Sequence, residues 1–308
     1  MSNPGIRLVH YKDIDFQKWD QCIENSPFGI VYACSWFLDR ICSRWDALIW
    51  GDYLYVMPLV NNRKFGISYI YQPFFSQQLG IFSNFPPEPE IVNQFLHAIP
   101  KKFRLTDMNL NLGNTPTTTH FRLKPNTTYL LPLDASAAQL RRGYHPNTLR
   151  NIRKAALNKV YISQVYDISL FLEFTRSNLK SKSPEIRSRH YAALHKVISH
   201  ALYNRHGEIY GAWDSANNLI AAAFFLNSNR GSIYLAASSN PKGTKDSAMF
   251  LLIDNYIQNH AGKNMVLDFE GSNIPGLARF YSGFGATAQT YYSVHQNHLP
   301  KILRYFKK

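Results

Sequence analysis

Two carboxylates, Asp268 and Glu270, stand two positions apart just before a corner that holds a hydroxyl, Ser272, and an amide, Asn273. If Met265–Phe269 is a strand, side chains alternate along it, so Asp268 and Glu270 share one face while Leu267 and Phe269 point into a core. Close carboxylates push one of the pair toward a higher pKa, which suits a base working near neutral pH. Glu270, at the end of the strand, is the first candidate for that base, and Asp268 the second. The structural alternative is that Glu270 caps the helix beginning at Pro275 and Asp268 meets an arginine. A second group of residues is cationic. Arg153 and Lys154 follow Arg150 at three and four residues, on one face of a helix that Asn147 and Thr148 could cap. Arg141 and Arg142 precede that helix, and no acidic residue lies between Asp134 and Asp167. Arginines and lysines without local partners suit anion contacts, although a merely solvated basic face has the same pattern.

These residues need a frame to hold them. After the strand at 265–269, Pro275 opens a helix, where its missing N–H costs nothing, and Gly285 is placed to end it in a left-handed conformation. Upstream, apolar spacing predicts helices over 11–24 and 33–44, strands over 47–50, 53–60 and 67–71, and a hairpin corner at Gly51-Asp52. The polar and aromatic loop Tyr71–Gly80 offers Gln77 as a cleft-lining residue, unless the loop simply packs on its own phenylalanines. A helix over 91–99 and strands over 104–112 and 128–133 close this half. Helices over 134–143 and 147–157, a strand over 160–165 and helices over 168–179 and 184–204 begin the next. His190, His195 and His200 are five apart in the last of these, the wrong spacing for two ligands on one helical face. Strands over 208–213, 219–226 and 232–237 and a helix over 247–260 complete the order. Arg104–Asn114 and Asn264–Asn273 have the same plan, an apolar strand ending in a small corner with Gly and Asn, which suggests two degenerate copies of one unit.

The segment with Asn273, Phe280-Tyr281 and Gly285 resembles the last helix of a GNAT-fold N-acyltransferase, with the Tyr-to-Gly spacing kept and Asn273 one residue out of step. His145–Lys154 is similar to the basic helix of the FemAB-like aminoacyltransferases, a branch of that superfamily. The resemblance implies an α/β fold of two tandem GNAT-like domains, each a mixed, mainly antiparallel sheet flanked by helices. The first, residues 1–134, would be degenerate; the second, residues 135–308, would hold the active site. It implies transfer of an aminoacyl or acyl group to an amine acceptor, a small molecule or a peptide precursor such as one for the cell wall. Tyr281 would then be the leaving-group acid, and Arg150, Arg153, Lys154, Asn147, Gln77, Asn273 and Ser272 would contact substrate.

No tightly bound cofactor is expected, and the donor is either acyl-CoA or aminoacyl-tRNA. Acyl-CoA-dependent GNAT enzymes have a glycine-rich loop after the fourth strand. Here the same place reads Ser238–Ser247, with one glycine, a proline and an aspartate. Lys242, Gly243, Lys245 and Ser247 could still hold a phosphate at the following helix N-terminus. The departure points toward a tRNA donor, yet the helices of 167–204 are too short for the long helical arm of several Fem-type enzymes.

Composition agrees with a folded, basic protein. The 308 residues carry a net charge of +14, and residues 135–308 hold 22 Lys/Arg against 9 Asp/Glu while residues 1–134 hold 12 against 11. That field favours anionic partners: tRNA, a phosphorylated cofactor or an anionic membrane surface. Three cysteines at no zinc-like spacing, no long apolar run and no leader pattern in the first residues lead us to expect a cytoplasmic protein without a metal. The competing reading is a basic binding protein that kept the fold without catalysis and holds RNA or an anionic glycolipid.

Overall fold

Asp15 opens the first long helix: its carboxylate accepts from the amides of Gln17 and Lys18 at 3.1 Å each, donors that no helical carbonyl can reach. The computed structural model describes residues 5–179, 185–271 and 273–299. They group into two compact units, one of the residues through Asn126 together with those from Thr290 on, the other Thr127–Gln289.

The first unit runs β1 (Arg7–Val9), α1 (Phe16–Asn25), α2 (Ser35–Ile41), β2 (Trp45–Trp50), β3 (Tyr55–Lys64), β4 (Ile67–Tyr71), the short β5 (Phe82–Ser83), α3 (Pro89–His97) and β6 (Phe103–Asn109). From it β7 (Arg122–Pro132) leads to the second unit. There follow α4 (Ala137–Arg142), α5 (Pro146–Leu157), β8 (Tyr161–Gln164), α6 (Ile168–Leu179) and α7 (Ser188–Tyr203). Then come β9 (Gly207–Trp213), β10 (Leu219–Asn227), β11 (Gly231–Ser239), α8 (Pro241–Lys245), α9 (Ala248–His260), β12 (Val266–Asp268) and α10 (Pro275–Ser282). The final strand, β13 (Thr287–Asn297), leads back to the first unit.

Each unit follows the same plan. β1, β2, β3 and β4 pair antiparallel in sequence, and β6 then adds in parallel beside β4. β8, β9, β10 and β11 do the same, with β12 parallel beside β11. Two helices follow the first strand of each set, and a helical crossover precedes the parallel strand, which an antiparallel neighbour (β13 or β7) then covers. The fold is α/β with two tandem GNAT-like units, each a mixed, mainly antiparallel sheet flanked by helices.

One core of the second unit lies between its sheet and α5, α9 and α10. Phe225 stacks on Tyr256 with ring centroids 3.6 Å apart, and Leu252, Ile257, Phe269 and Phe284 are fully buried around them. Each such side chain contributes about 1.5–3 kcal/mol by leaving water. Capping decides where two helices begin. α4 starts at Ala137, not Asp134, because Ser136 and Gln139 form a capping box. α5 starts at Pro146, and its cap is His145, whose ring accepts from the Asn147 amide at 3.3 Å. Asn147 and Thr148, expected as caps, are instead helical. The three cysteines are unbridged.

Candidate functional site

β11 and β12 begin in close contact and then part. A Cβ on Gly231 would come within 2.4 Å of the Val266 carbonyl oxygen, so only glycine allows the strands to start this near. Pairing runs from Gly231↔Val266 to Ile233↔Asp268 and ends there, while β11 continues to Ser239. Beyond Ile233 the backbone amides on that edge of β11 have no ladder partner in β12. The corresponding edge in the first unit is closed. There β4 pairs with β6 to its last residue, Gln72 Oε1 accepts from the Asn109 amide at 3.0 Å, and Leu79 bridges Leu110. Gln77 serves within that closed unit, its carbonyl accepting from Asn109 Nδ2 and its side-chain oxygen from Gln78 Nε2, each at 2.7 Å.

Asp268 sits where the second unit opens. The residue is 9% exposed, and its Oδ1 accepts from the Thr128 hydroxyl at 2.7 Å and from the Glu270 amide at 2.8 Å. Burial pushes the carboxyl up to about 6, against the lowering effect of those two hydrogen bonds. The cause is desolvation and not repulsion between carboxylates, and the partner is a threonine and not an arginine. The alternation expected along the strand also stops at Asp268. β12 ends there, and Glu270 turns with φ +57° so that its N–H points back to Asp268. Tyr281, on α10, lies buried against Phe269, Tyr129 and Tyr234, with centroids 5.1, 5.9 and 6.3 Å away. Its hydroxyl is held above the usual range by burial and then by the Glu270 and Asp268 charges. The structure therefore brings Asp268, Glu270 and Tyr281 together. Asn273 is exposed before α10, and Ser272 lies outside the described residues.

The basic helix is open to solvent. Arg150, Arg153 and Lys154 are exposed and form no ion pair among the described residues; Arg150 donates to Asn147 Oδ1 at 2.5 Å. Arg141, expected without a partner, is paired with Asp254 of α9 at 3.0 Å. The other face of α5 buries Thr148, Ile152 and Ala155. Asn151 accepts from the Ser247 hydroxyl at 2.9 Å and Asn158 donates to Asp246 at 3.1 Å, which sets Lys154, one turn from each, beside the α8–α9 junction.

At that junction most of the phosphate-holding capacity is already used. Lys242 Nζ lies 2.6 Å from Asp246 and 4.0 Å from Asp214. The Gly243 amide donates to Asn240 Oδ1 at 2.8 Å, and a Cβ there would come within 2.0 Å of the Ile220 carbonyl oxygen. Ser247 is left-handed at φ +59° and spends its hydroxyl proton on Asn151. Lys245 is exposed without an ion pair among the described residues. Among the described residues no three His, Cys, Asp or Glu side chains could hold a metal ion. A cavity of about 470 Å³ lined by His10, Asp39 and Asp46 belongs to the first unit and contains none of these residues. Thr128 was not legible as a site residue: its partner lies 140 positions away, and its strand carries no local signal of a polar contact.

No family model matches the sequence, and no curated protein matches it. Solved structures do share its fold. FemX aligns with a TM-score of 0.65 at 12% identity, covering 97% of this chain and 99% of its own. A domain named for lysylphosphatidylglycerol synthetase from Agrobacterium fabrum aligns at 0.56 and 12% identity, over 92% of each chain. L-PGS from Bacillus licheniformis aligns at 0.54 and 11% identity, over 94% of each. The likeness establishes a FemAB-like, GNAT-type fold; at such identities fold does not fix function.

Proposed function

We propose that this chain is an N-acyltransferase, moving an aminoacyl or acyl group from a tRNA ester or CoA thioester to an amine acceptor such as a cell-wall precursor. The observation that carries the reading is the parting of β11 and β12 at Asp268, a buried carboxyl pushed up to about 6. An amine attacks the acyl carbonyl, the C–N bond forms, and Asp268 takes the ammonium proton. β11 amides without a β12 partner stabilise the developing oxyanion. The bond to the donor oxygen or sulfur then breaks, and the Tyr281 hydroxyl, which its raised pKa keeps protonated, supplies the proton. Glu270 stands beside both and orients the acceptor; Asn273, Ser272 and Asn147 are further candidates for acceptor contact. FemX and the lysylphosphatidylglycerol synthetase domain support this class of reaction.

The donor best supported is an aminoacyl-tRNA. The Lys242 charge and the Gly243 amide, which an acyl-CoA pyrophosphate would need, already have protein partners, whereas Arg150, Arg153 and Lys154 have no ion pair among the described residues. Calorimetric titration with coenzyme A and acetyl-CoA tests this choice. No heat at millimolar ligand supports the tRNA ester; micromolar binding assigns the protein to acyl-CoA and makes Lys245 and the α9 N-terminus the phosphate site.

A second reading has its own support. The rings of Tyr234, Phe269 and Tyr281 pack on one another beside β11 and β12, and side-chain filling of this region is what a basic binding protein without catalysis would have. That protein would hold RNA or an anionic glycolipid and leave an aminoacyl ester intact, so incubation with aminoacyl-tRNA read for ester loss separates the two.

A further inference from the structure

β3 and β4 form a hairpin closed by the pair Lys64↔Ile67, with Phe65 and Gly66 as its two-residue turn. Both turn residues have positive φ, +50° and +78°. That is the turn whose first position ordinarily goes to asparagine, aspartate or glycine. A phenylalanine there is disfavoured twice, by its Cβ in a left-handed backbone and by a ring that is 90% exposed. Among the described residues the ring meets the Lys64 ammonium, 5.3 Å from its centroid, an exposed contact too weak to offset both costs, so a reason for the ring lies outside the fold.

The surroundings of the tip are cationic. Arg63 and Lys64 precede the ring, and Lys64 Nζ stands 5.3 Å from its centroid. β6 runs parallel to β4 from Ser68↔Phe103, which carries Lys101 and Lys102 to the level of the turn, with Arg104 just behind. The five side chains are exposed, and none has an ion pair among the described residues. No Asp or Glu occurs in residues 61–71, 99–106 or 293–299, the last reaching this end through the His298 amide on the Arg104 carbonyl. The charge of residues 1–134 is nearly balanced, so this cluster is a local segregation.

We propose that the Phe65 hairpin tip is a docking element for an anionic lipid surface, the ring entering the interface while Arg63, Lys64, Lys101, Lys102 and Arg104 meet headgroup phosphates. The order of the groups favours a bilayer over nucleic acid. The apolar edge leads at a convex end and the cations stand behind it, as in side chains that anchor at a membrane interface. A base-stacking platform needs an open ring face in a groove, and here an ammonium already lies over the ring. The proposal depends on the first unit alone and stands whether or not the second unit transfers acyl groups.

The test is co-sedimentation of the full chain with vesicles of phosphatidylglycerol and phosphatidylcholine, at several salt concentrations. Binding to the anionic vesicles only, weakened by salt, is expected. Phe65→Asn suits the turn better than phenylalanine, so it keeps or raises the melting temperature, and it should lower vesicle binding about tenfold. Lys101→Ala with Lys102→Ala should lower it roughly fivefold per charge. A variant ending at Leu299 separates this contribution from that of the basic sequence 300–308. The proposal is overturned if wild type ignores anionic vesicles, if Phe65→Asn binds them as wild type does, or if Phe65→Asn impairs only binding to a single-stranded RNA oligonucleotide.

Discussion

The Thr128 hydroxyl donates to Asp268 Oδ1 at 2.7 Å, fastening the last residue of β12 to β7 at the point where β12 leaves β11. A carboxyl held there is buried, with two hydrogen bonds to Oδ1 from the described residues, and desolvation makes its ionisation unfavourable.

This sets a stability cost with a definite sign. The Asp268 pKa is raised from 3.8 to about 6, so the folded state binds this proton more tightly than the unfolded one. Its favourable contribution is complete below pH ~4 and is lost as pH rises through ~6, amounting to about 3 kcal/mol at most. Asp268→Asn should therefore raise the melting temperature at pH 8 and leave it nearly unchanged at pH 4. If the reaction proposed above is correct, the same variant loses about 10²–10⁴ in turnover. Thermal melts at the two pH values check the first part, and equal shifts at both would contradict it.

Glu208 behaves in the opposite way. Burial pushes its carboxyl up, but His260, Lys263 and Asn227 outweigh that and hold it below the usual range. His260 Nε2 lies 3.1 Å from Glu208 Oε2, where hydrogen bonding and then charge favour the ionised carboxylate. A lowered carboxyl gives stability that is present above its unfolded pKa and lost as pH falls through the folded value. Glu208→Gln should lower urea resistance at pH 7, and the difference from wild type should close at about pH 3. A constant difference at both would mean that packing, not charge, is responsible.

The basic face of α5 should matter for ligands and not for folding. Arg153→Glu with Lys154→Glu removes two exposed cations that have no ion pair among the described residues, so unfolding free energy should change by no more than about 0.5 kcal/mol. Affinity for tRNA should fall roughly tenfold, with a shallower dependence on salt. Filter binding at two salt concentrations measures both, and an unchanged salt slope would place the RNA contact elsewhere.

Gly243 is required by space. A Cβ would sit 2.0 Å from the Ile220 carbonyl oxygen, so Gly243→Ala must push α8 off β10. Destabilisation by about 1–3 kcal/mol is expected in urea unfolding; a neutral result would show that α8 can shift freely.

Much of this architecture was legible because its signals are local. The strand, polar corner and Pro275 helix follow from spacing alone, and α6 has the bounds its apolar pattern predicts, Ile168–Leu179. The repeat seen faintly in Arg104–Asn114 and Asn264–Asn273 proves to be the parallel strand of each unit. What was not legible is nonlocal or conformational. Arg141 looked free because Asp254 is 113 residues away. Thr128 gave no hint of Asp268. Glu270 was assigned to the Asp268 face by a period that its positive φ breaks. His145 was not recognised as the α5 cap because the usual capping residues stood just after it.

The most direct test of the proposed reaction is single-turnover ester loss from a radiolabelled pool of aminoacyl-tRNA, with hydroxylamine as the amine and the rate of the protein-free reaction subtracted, comparing wild type with Asp268→Asn. We predict label transfer to hydroxylamine by wild type and little or none by the folded variant. Intact ester with both proteins, or equal transfer by both, would contradict acyl transfer at Asp268.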